Sequence, residues 1–439
     1  LEKYLYGSHS DSTNYFELVH ESSTWFTQVP VVLARASGSP EWGNQWSVSI
    51  SRAGDYLLHS WLRLKIPAIT ATDGKYLAWT PNLMHNLIKE CSITFNDLSA
   101  ASFTNVVLDF ITAFTVPEGK REGYNTMIGN TLSLTTPARA LPETVCNLPL
   151  PFFFSKDSGV SLPTCSLPYN DMRMVFDFRS LSELLTCYAY TEEVVDDNGV
   201  ITAEGFWTSG PATSADYEGS PELGSVQVWA NYSLVSNESR RKMGATSRDI
   251  VIEQHQTSPS YSFSPYSNPY QSYDIRFSHS VKALFWGVQN TTVPSVLSNY
   301  TVAPANVPAP IAEVVETIFH DAGSDPIDTT TLIYENTQRL AALGSDYFSL
   351  VQPYYQPNCV IPTKTGLHMY SYSLDMVSVN AMGSTNFGKL TNISLVPSAS
   401  QAAIDANSPS GGQSFRFVVF CVSNNIARIS GGAWGFPVL

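Results

Sequence analysis

Ser47-Val-Ser-Ile-Ser-Arg-Ala-Gly-Asp-Tyr-Leu-Leu-His-Ser-Trp-Leu-Arg-Leu-Lys-Ile66 is a strand-like run, a break at Ala53-Gly54-Asp55, and a longer strand-like run. In the second half of the chain, Tyr273-Asp-Ile-Arg-Phe-Ser-His-Ser-Val-Lys-Ala-Leu-Phe-Trp-Gly-Val-Gln-Asn290 has the same shape. Both alternate or stay apolar over strand lengths and are bounded by polar turn residues, which is the signature of β-strands and not of a 3.6-residue helical period. Each stretch predicts two strands around a tight turn.

Working outward, the rest of the chain reads as the same plan twice. A strand ending in an Asn turn follows in each half, Cys91-Ser-Ile-Thr-Phe-Asn-Asp97 and Thr331-Leu-Ile-Tyr-Glu-Asn336. Pro-bounded aromatic segments come next. Pro151-Phe-Phe-Phe154 leads to Met172-Arg-Met-Val-Phe-Asp-Phe178, and Pro353-Tyr-Tyr355 leads to His368-Met-Tyr-Ser-Tyr-Ser-Leu374. Long strands close the halves at Ser225 to Val235 and Phe415 to Val422. With about eight strand candidates per half, the expected fold is all-β: two tandem eight-stranded antiparallel jelly rolls, with long inter-strand loops and a few short helices. The expected division is an N-terminal segment 1–12, a first jelly roll 13–241, a linker 242–248 and a second jelly roll 249–439. The join falls in the polar, basic stretch Ser239 to Ser247. Helical periodicity is confined to Phe103–Phe114 and Ile311–Phe319. The longest loops, Thr191–Gly224 and Val302–Thr330, read as interaction surfaces.

Composition narrows the function. The 439 residues carry a net charge of −14, and only 14% are charged, against the roughly 25% usual in soluble domains. A surface poor in charge suits a protein that covers much of itself with neighbours. The acidic balance argues against a nucleic-acid binder, which needs clustered Lys and Arg. The densest basic group, Arg240, Arg241, Lys242 and Arg248, reads as a solvated turn between domains. Cys91, Cys146, Cys165, Cys187, Cys359 and Cys421 form no CxxC pair and no zinc spacing with His, so they read as buried reduced thiols. The longest apolar runs, such as Phe417–Val422, fall far short of the ~20 residues that span a bilayer. No signal peptide is visible, so the sequons at Asn231, Asn237, Asn290, Asn299 and Asn392 are expected to be unused. The first residue is Leu1, so an N-terminal piece is expected to be missing.

No constellation carries chemistry. Gly383-Ser-Thr-Asn-Phe-Gly388-Lys389-Leu390 has phosphate-loop spacing. However, Leu390 stands where a Mg²⁺-holding Ser or Thr is needed, and a strand follows instead of a helix. No GxSxG elbow occurs. His20-Glu21 lacks the second His of a zinc helix, His85, His279 and His368 read as structural, and Asp196-Asp197 reads as solvated. Arg52 and Asp55 read as an ion pair bracing the 51–55 turn. The expectation is no catalytic, cofactor-binding or metal site, and no enzyme. The alternative is a carbohydrate-binding β-sandwich, suggested by aromatic content and by Trp207, though no convincing pair of acids accompanies it.

Several stretches carry a family resemblance. They are Trp42-Gly-Asn-Gln-Trp-Ser-Val-Ser-Ile-Ser-Arg-Ala-Gly-Asp-Tyr-Leu-Leu58, Met84-His-Asn-Leu-Ile88, Tyr124-Asn-Thr-Met-Ile-Gly-Asn130 and Leu148-Pro-Leu-Pro-Phe-Phe-Phe-Ser-Lys-Asp-Ser-Gly159. In the second half they are Arg276-Phe-Ser-His-Ser-Val-Lys-Ala-Leu284, Leu332-Ile-Tyr-Glu-Asn-Thr337, Gly383-Ser-Thr-Asn-Phe-Gly388 and Gly435-Phe-Pro-Val-Leu439. Together they resemble the major capsid proteins of iridoviruses, the invertebrate type more closely than those of fish and frogs. The loops 191–224 and 304–325 depart from that pattern. The resemblance implies a double jelly roll, strands upright in a shell, and homotrimeric, pseudo-hexagonal capsomers tiling an icosahedral capsid of a large dsDNA virus. It also implies neighbouring capsomers and minor capsid proteins as partners. An internal membrane would lie nearby without a transmembrane segment, and no nucleic acid would be touched directly. Assembly would take place in the host cytoplasm, and the outer loops could meet a host-cell receptor.

Overall fold

The computed structural model describes residues 5–6, 14–18, 20–191, 194–195, 201–203, 206–303 and 323–437. Sixteen strands make the frame. The first eight are β1 Phe26–Val32, β2 Gln45–Ser49, β3 Tyr56–Ile66, β4 Ile88–Phe95, β5 Leu98–Thr104, β6 Thr144–Pro149, β7 Met172–Phe178 and β8 Gly224–Val235. The second eight are β9 Arg248–Thr257, β10 Tyr273–Asp274, β11 Ser280–Asn290, β12 Ile327–Tyr334, β13 Thr337–Gly344, β14 His368–Ser371, β15 Ile393–Ala399 and β16 Phe415–Ser430.

The first eight form antiparallel sheets ordered β1-β8-β3-β6 and β2-β7-β4-β5, the latter edged by Arg35–Gly38. The second eight form β9-β16-β11-β14 and β10-β15-β12-β13. Adding eight to each label of the first barrel gives the order in the second, so the duplication is topological. Both are jelly rolls.

The two stretches that suggested hairpins are not hairpins. β2 pairs with β7 and β3 pairs with β8, so the turn at 50–55 carries the chain from one sheet to the other. The same holds for β10 and β11. Period-2 patterning fixes which face is buried, but not which neighbour is paired. The Pro-bounded segments also differ from expectation. Phe153–Ser155 is a 3₁₀ turn and Gln352–Tyr355 is helical. By sheet position the counterpart of β7 is β15, not β14.

True hairpins join β4 to β5 and β12 to β13. In each, the two turn residues take positive φ: Asn96 and Asp97 at 50° and 65°, Glu335 and Asn336 at 47° and 62°. That is the type I′ turn, whose twist matches the strands it joins.

Antiparallel strands make successive connections alternate between the two ends of a barrel. In the first barrel the connections 33–44, 67–87, 105–143 and 179–223 therefore emerge at one end, the insertion end. The short turns at 50–55 and 96–97 lie at the other, with 150–171. The second barrel repeats this, its insertion end carrying 258–272, the described parts 291–303 and 323–326, 345–367 and 400–414. β8 finishes at the turn end. Residues 242–248, expected as the linker, begin inside helix α3, Asn237–Ala245, whose N-terminus is capped by Ser236 Oγ on Ser239 N–H, and end at the first residue of β9. β9 then starts at the turn end as well. At the insertion ends, Asn86 and Thr186 of the first barrel bond Ser298 and Ser295 of the second, so the two barrels stand side by side with insertion ends on the same side.

The expected helix at 103–114 is present as α1, Asn105–Thr115, directly after β5, and α2 spans Glu118–Met127. The segment 311–319 lies outside the described residues, as do Asp196 and Asp197.

Candidate assembly surfaces

The seam between the barrels is built on β11 and the first half of β16, Phe417–Ser423, whose residues are buried on both faces. Leu284, Trp286, Val288, Phe417, Val419 and Cys421 point into the second barrel's own core. Ala283, Phe285, Val418, Phe420 and Val422 point outward and join the core of the first. A strand covered on both sides reads as a near-continuous apolar run, and Val281-Lys-Ala-Leu-Phe-Trp-Gly-Val288 does.

Phe285 and Phe420 are opposite one another across the strands and stack at 4.9 Å. Helix α1 covers them: Phe110 meets Phe420 edge-on at 5.6 Å, and Phe114 meets Phe285 at 5.8 Å. Gly287 makes room, since a Cβ there would lie 2.8 Å from Phe110 and 2.9 Å from the Gly366 carbonyl. Alongside, Gln254 donates to the Ala100 carbonyl, bringing β9 against the edge strand β5.

Two buried polar clusters fix the seam. In the first, Asp109 of α1 accepts from Asn82 at 2.9 Å, Ser298 at 2.7 Å and Tyr300 at 3.0 Å, with His85 Nδ1 at 2.7 Å. His85 Nε2 lies 2.8 Å from the Tyr124 hydroxyl. Burial pushes the Asp109 carboxyl up, but His85 and Ser298 outweigh it and hold the group below its ordinary range. In the second cluster, Glu253 of β9 is paired with Lys156 from the first barrel and with Lys282 of β11 at 2.6 Å. Burial raises Glu253, and the two ammonium groups more than offset this, leaving it lowered.

The residues singled out in the sequence are not gathered into one site. His85 enters the first cluster, and His368 pairs with Asp325 at 2.9 Å. The Arg52–Asp55 ion pair does not form. Arg52 donates to the carbonyls of Leu167, Pro168 and Asn170, while Asp55 takes Arg240 at 2.7 Å and so ties α3 to the 51–55 turn. The local spacing was right for a pair, but the corner points the two side chains at different partners. Gly383–Leu390 holds a two-residue strand, Thr385–Asn386, and a 3₁₀ turn, Phe387–Lys389, neither of which offers a phosphate-holding helix N-terminus. The sequon residues Asn290 and Asn299 are occupied in local caps, each accepting from the N–H and hydroxyl of the Thr two residues on. All six cysteines are free thiols, and burial pushes Cys146 and Cys359 up to about 12. Among the described residues no group of three His, Cys, Asp or Glu could hold a metal ion, and no helix is long and apolar enough to cross a membrane. Asp109, Glu253 and Lys282 were missed. The available signal was a lone charge inside an apolar helix or an apolar strand, which must be paired to be buried.

In the first barrel the sheet face equivalent to the seam is open. Trp61 and Trp229, directly opposite on β3 and β8, stack at 6.1 Å, and an apolar cleft of about 670 Å³ lies beside Trp61 and Pro149.

Two jelly rolls locked by a buried seam, with the longest connection of each barrel at the same end, define a double jelly-roll shell protein. The comparisons agree over the whole length. The model described as major capsid protein N-terminus matches 14–235, and that described as large eukaryotic DNA virus major capsid protein matches 239–435. The chain belongs to the major capsid protein family of large eukaryotic DNA viruses. The major capsid protein of Wiseana iridescent virus is 50% identical, covering 98% of this chain and 90% of that protein. That of Invertebrate iridescent virus 6 is 49% identical, covering 100% and 96%. That of Rana tigrina ranavirus is 40% identical, covering 100% and 96%. Among solved structures, the PBCV-1 capsid protein matches with a TM-score of 0.74 at 19% identity, covering 97% of this chain and 100% of that one. The Faustovirus major capsid protein matches with a TM-score of 0.73 at 11% identity, covering 96% and 93%. These two share the fold. The family assignment gives the carbohydrate-binding alternative no support.

Proposed function

We propose that three copies of this chain form a capsomer of six upright jelly rolls with a near-sixfold outline, which tiles the facets of an icosahedral virion shell. The observation that carries this reading is the parallel stance of two topologically identical barrels, which lets a threefold assembly present six similar corners. In this reading residues 13–241 and 249–439 are the two tile-forming units, and 242–248 joins them. The chain is a building block and catalyses no reaction. Minor capsid proteins contact the shell from within, an internal membrane separates it from the genome, and the particle is assembled in the host cytoplasm. The insertion ends face outward, where a host receptor can meet them. Light scattering on the purified chain at micromolar concentration tests the core of the proposal. A stable trimer is the expected result, and a monomer alone would rule the capsomer out.

A further inference from the structure

Within one chain, the first barrel meets the second through a defined pair of surfaces. The donor surface is the edge strand β5 with helix α1 directly after it. The acceptor surface is the outer face of β9-β16-β11-β14. Across that face runs a row of directly opposite residues, Thr257, Phe420, Phe285 and Met369, of which the last three are fully buried under α1 and its surroundings.

Each surface has a counterpart in the other barrel; the acceptor counterpart is half-buried at Trp61 and Trp229, and the donor counterpart is largely exposed. The acceptor counterpart is the outer face of β1-β8-β3-β6. Its equivalent row is Val32, Trp229, Trp61 and Pro149, again directly opposite one another across four strands. The Trp61–Trp229 stack occupies the place of the Phe285–Phe420 stack. Here Val32 is 41% exposed and Pro149 is exposed. Arg63, Gln227, Asn147 and Asn231 flank the row, a polar rim around an aromatic centre. The edge strand β1 is exposed along nearly its whole length.

The donor counterpart is the edge strand β13 with the helical segment 347–355 that follows it. Phe348 turns inward and packs edge-on against Trp286 at 4.8 Å. Leu350, Val351, Tyr354 and Tyr355 turn outward, with 49%, 39%, 72% and 76% of their surfaces exposed. In α1 the corresponding outward positions are buried, because the second barrel covers them.

We propose that the 347–355 segment of one copy docks on the Trp61–Trp229 face of a second copy, with β13 beside β1, repeating between chains the contact made within each chain. The inference rests on the capsomer reading and names the surfaces that build it. The contact is heterologous: one patch meets a different patch, and repetition of the same step closes a ring when the rotation allows it. Two barrels per chain and one repeated contact place six barrels in a ring of three chains. Aromatic anchors on both sides fit the composition of interface centres.

The test uses the full chain with Trp229→Glu or Tyr354→Glu, read by light scattering, with circular dichroism to verify folding. Wild type is expected as a trimer and each variant as a folded monomer. Mixed in equal amounts, the variants are expected to form a dimer, because one intact face then meets one intact segment. Should Trp229→Glu fail to fold, Val32→Glu probes the same row. Trimeric wild type with trimeric variants would overturn the surface assignment and leave the capsomer reading standing. Monomeric variants that do not associate on mixing would overturn the heterologous pairing. Monomeric wild type would overturn the capsomer reading itself.

Discussion

Asp109 shows how much one side chain can hold. Its carboxylate draws together α1, the Asn82–His85 turn and the 298–300 connection of the second barrel. Asp109→Ala leaves four donors, three of them buried, without their acceptor and is expected to lower stability by about 3–5 kcal/mol, measured by urea unfolding. The seam also carries an acid sensitivity. Burial and the nearby Lys156 charge push His255 down to about 4 from its ordinary 6.5. The unfolded chain therefore takes up a proton that the folded chain refuses between those values. Stability is complete above pH 6.5 and falls as pH drops toward 4, by up to about 1.4 kcal/mol per unit. Glu253 is also held below its ordinary 4.5, so its contribution is lost as pH falls through its lower folded value. Urea titrations at pH 7 and pH 5 are expected to show lower stability at pH 5, and His255→Gln to flatten that difference. Little of this was legible in the sequence. A charge in an apolar run announces that a partner exists, but the partners sit far away in the chain, as Lys156 does from Glu253.

At the scale of elements, α1 is buried nearly all round, its polar Asn105 and Asp109 included, because both barrels cover it, unlike a surface helix with one buried stripe. Its close approach to β11 depends on Gly287. Gly287→Ala is expected to cost about 1–3 kcal/mol by overpacking against Phe110, read as a lower thermal midpoint, whereas Gly74→Ala, with open space around it, pays only for its positive φ. The strands themselves were legible, because alternation in Met172–Phe178 and in Ile393–Val396 marks a buried face. Their partners were not. The run at 47–66 resembles a hairpin because strand propensity and a turn are local, while the choice of sheet is made by the packing of two layers. The equation of His368–Leu374 with Met172–Phe178 failed for the same reason, since both are short aromatic strands and only the sheet order separates them. The connection between β7 and β8 leaves and re-enters the first barrel at its insertion end. Deleting 196–215 is expected to reduce attachment to host cells while leaving the trimer intact, tested by binding assays and light scattering in parallel.

At the scale of the whole molecule, the sequence by itself determined the all-β class, the duplicated plan and the family. Those follow from periodicity, turn residues and extended similarity, all of which are carried along the chain. The seam was decided by tertiary structure alone. Which face of a sheet is covered, which insertion covers it, and which equivalent face stays open depend on how two similar barrels are placed side by side. Phe285 and Trp61 look alike in the sequence as aromatics in the third strand of a barrel. One is sealed beneath α1 and the other is half-buried beside a cleft, because within one chain α1 packs on the sheet face of the second barrel while the equivalent helical segment 347–355 faces away from that of the first.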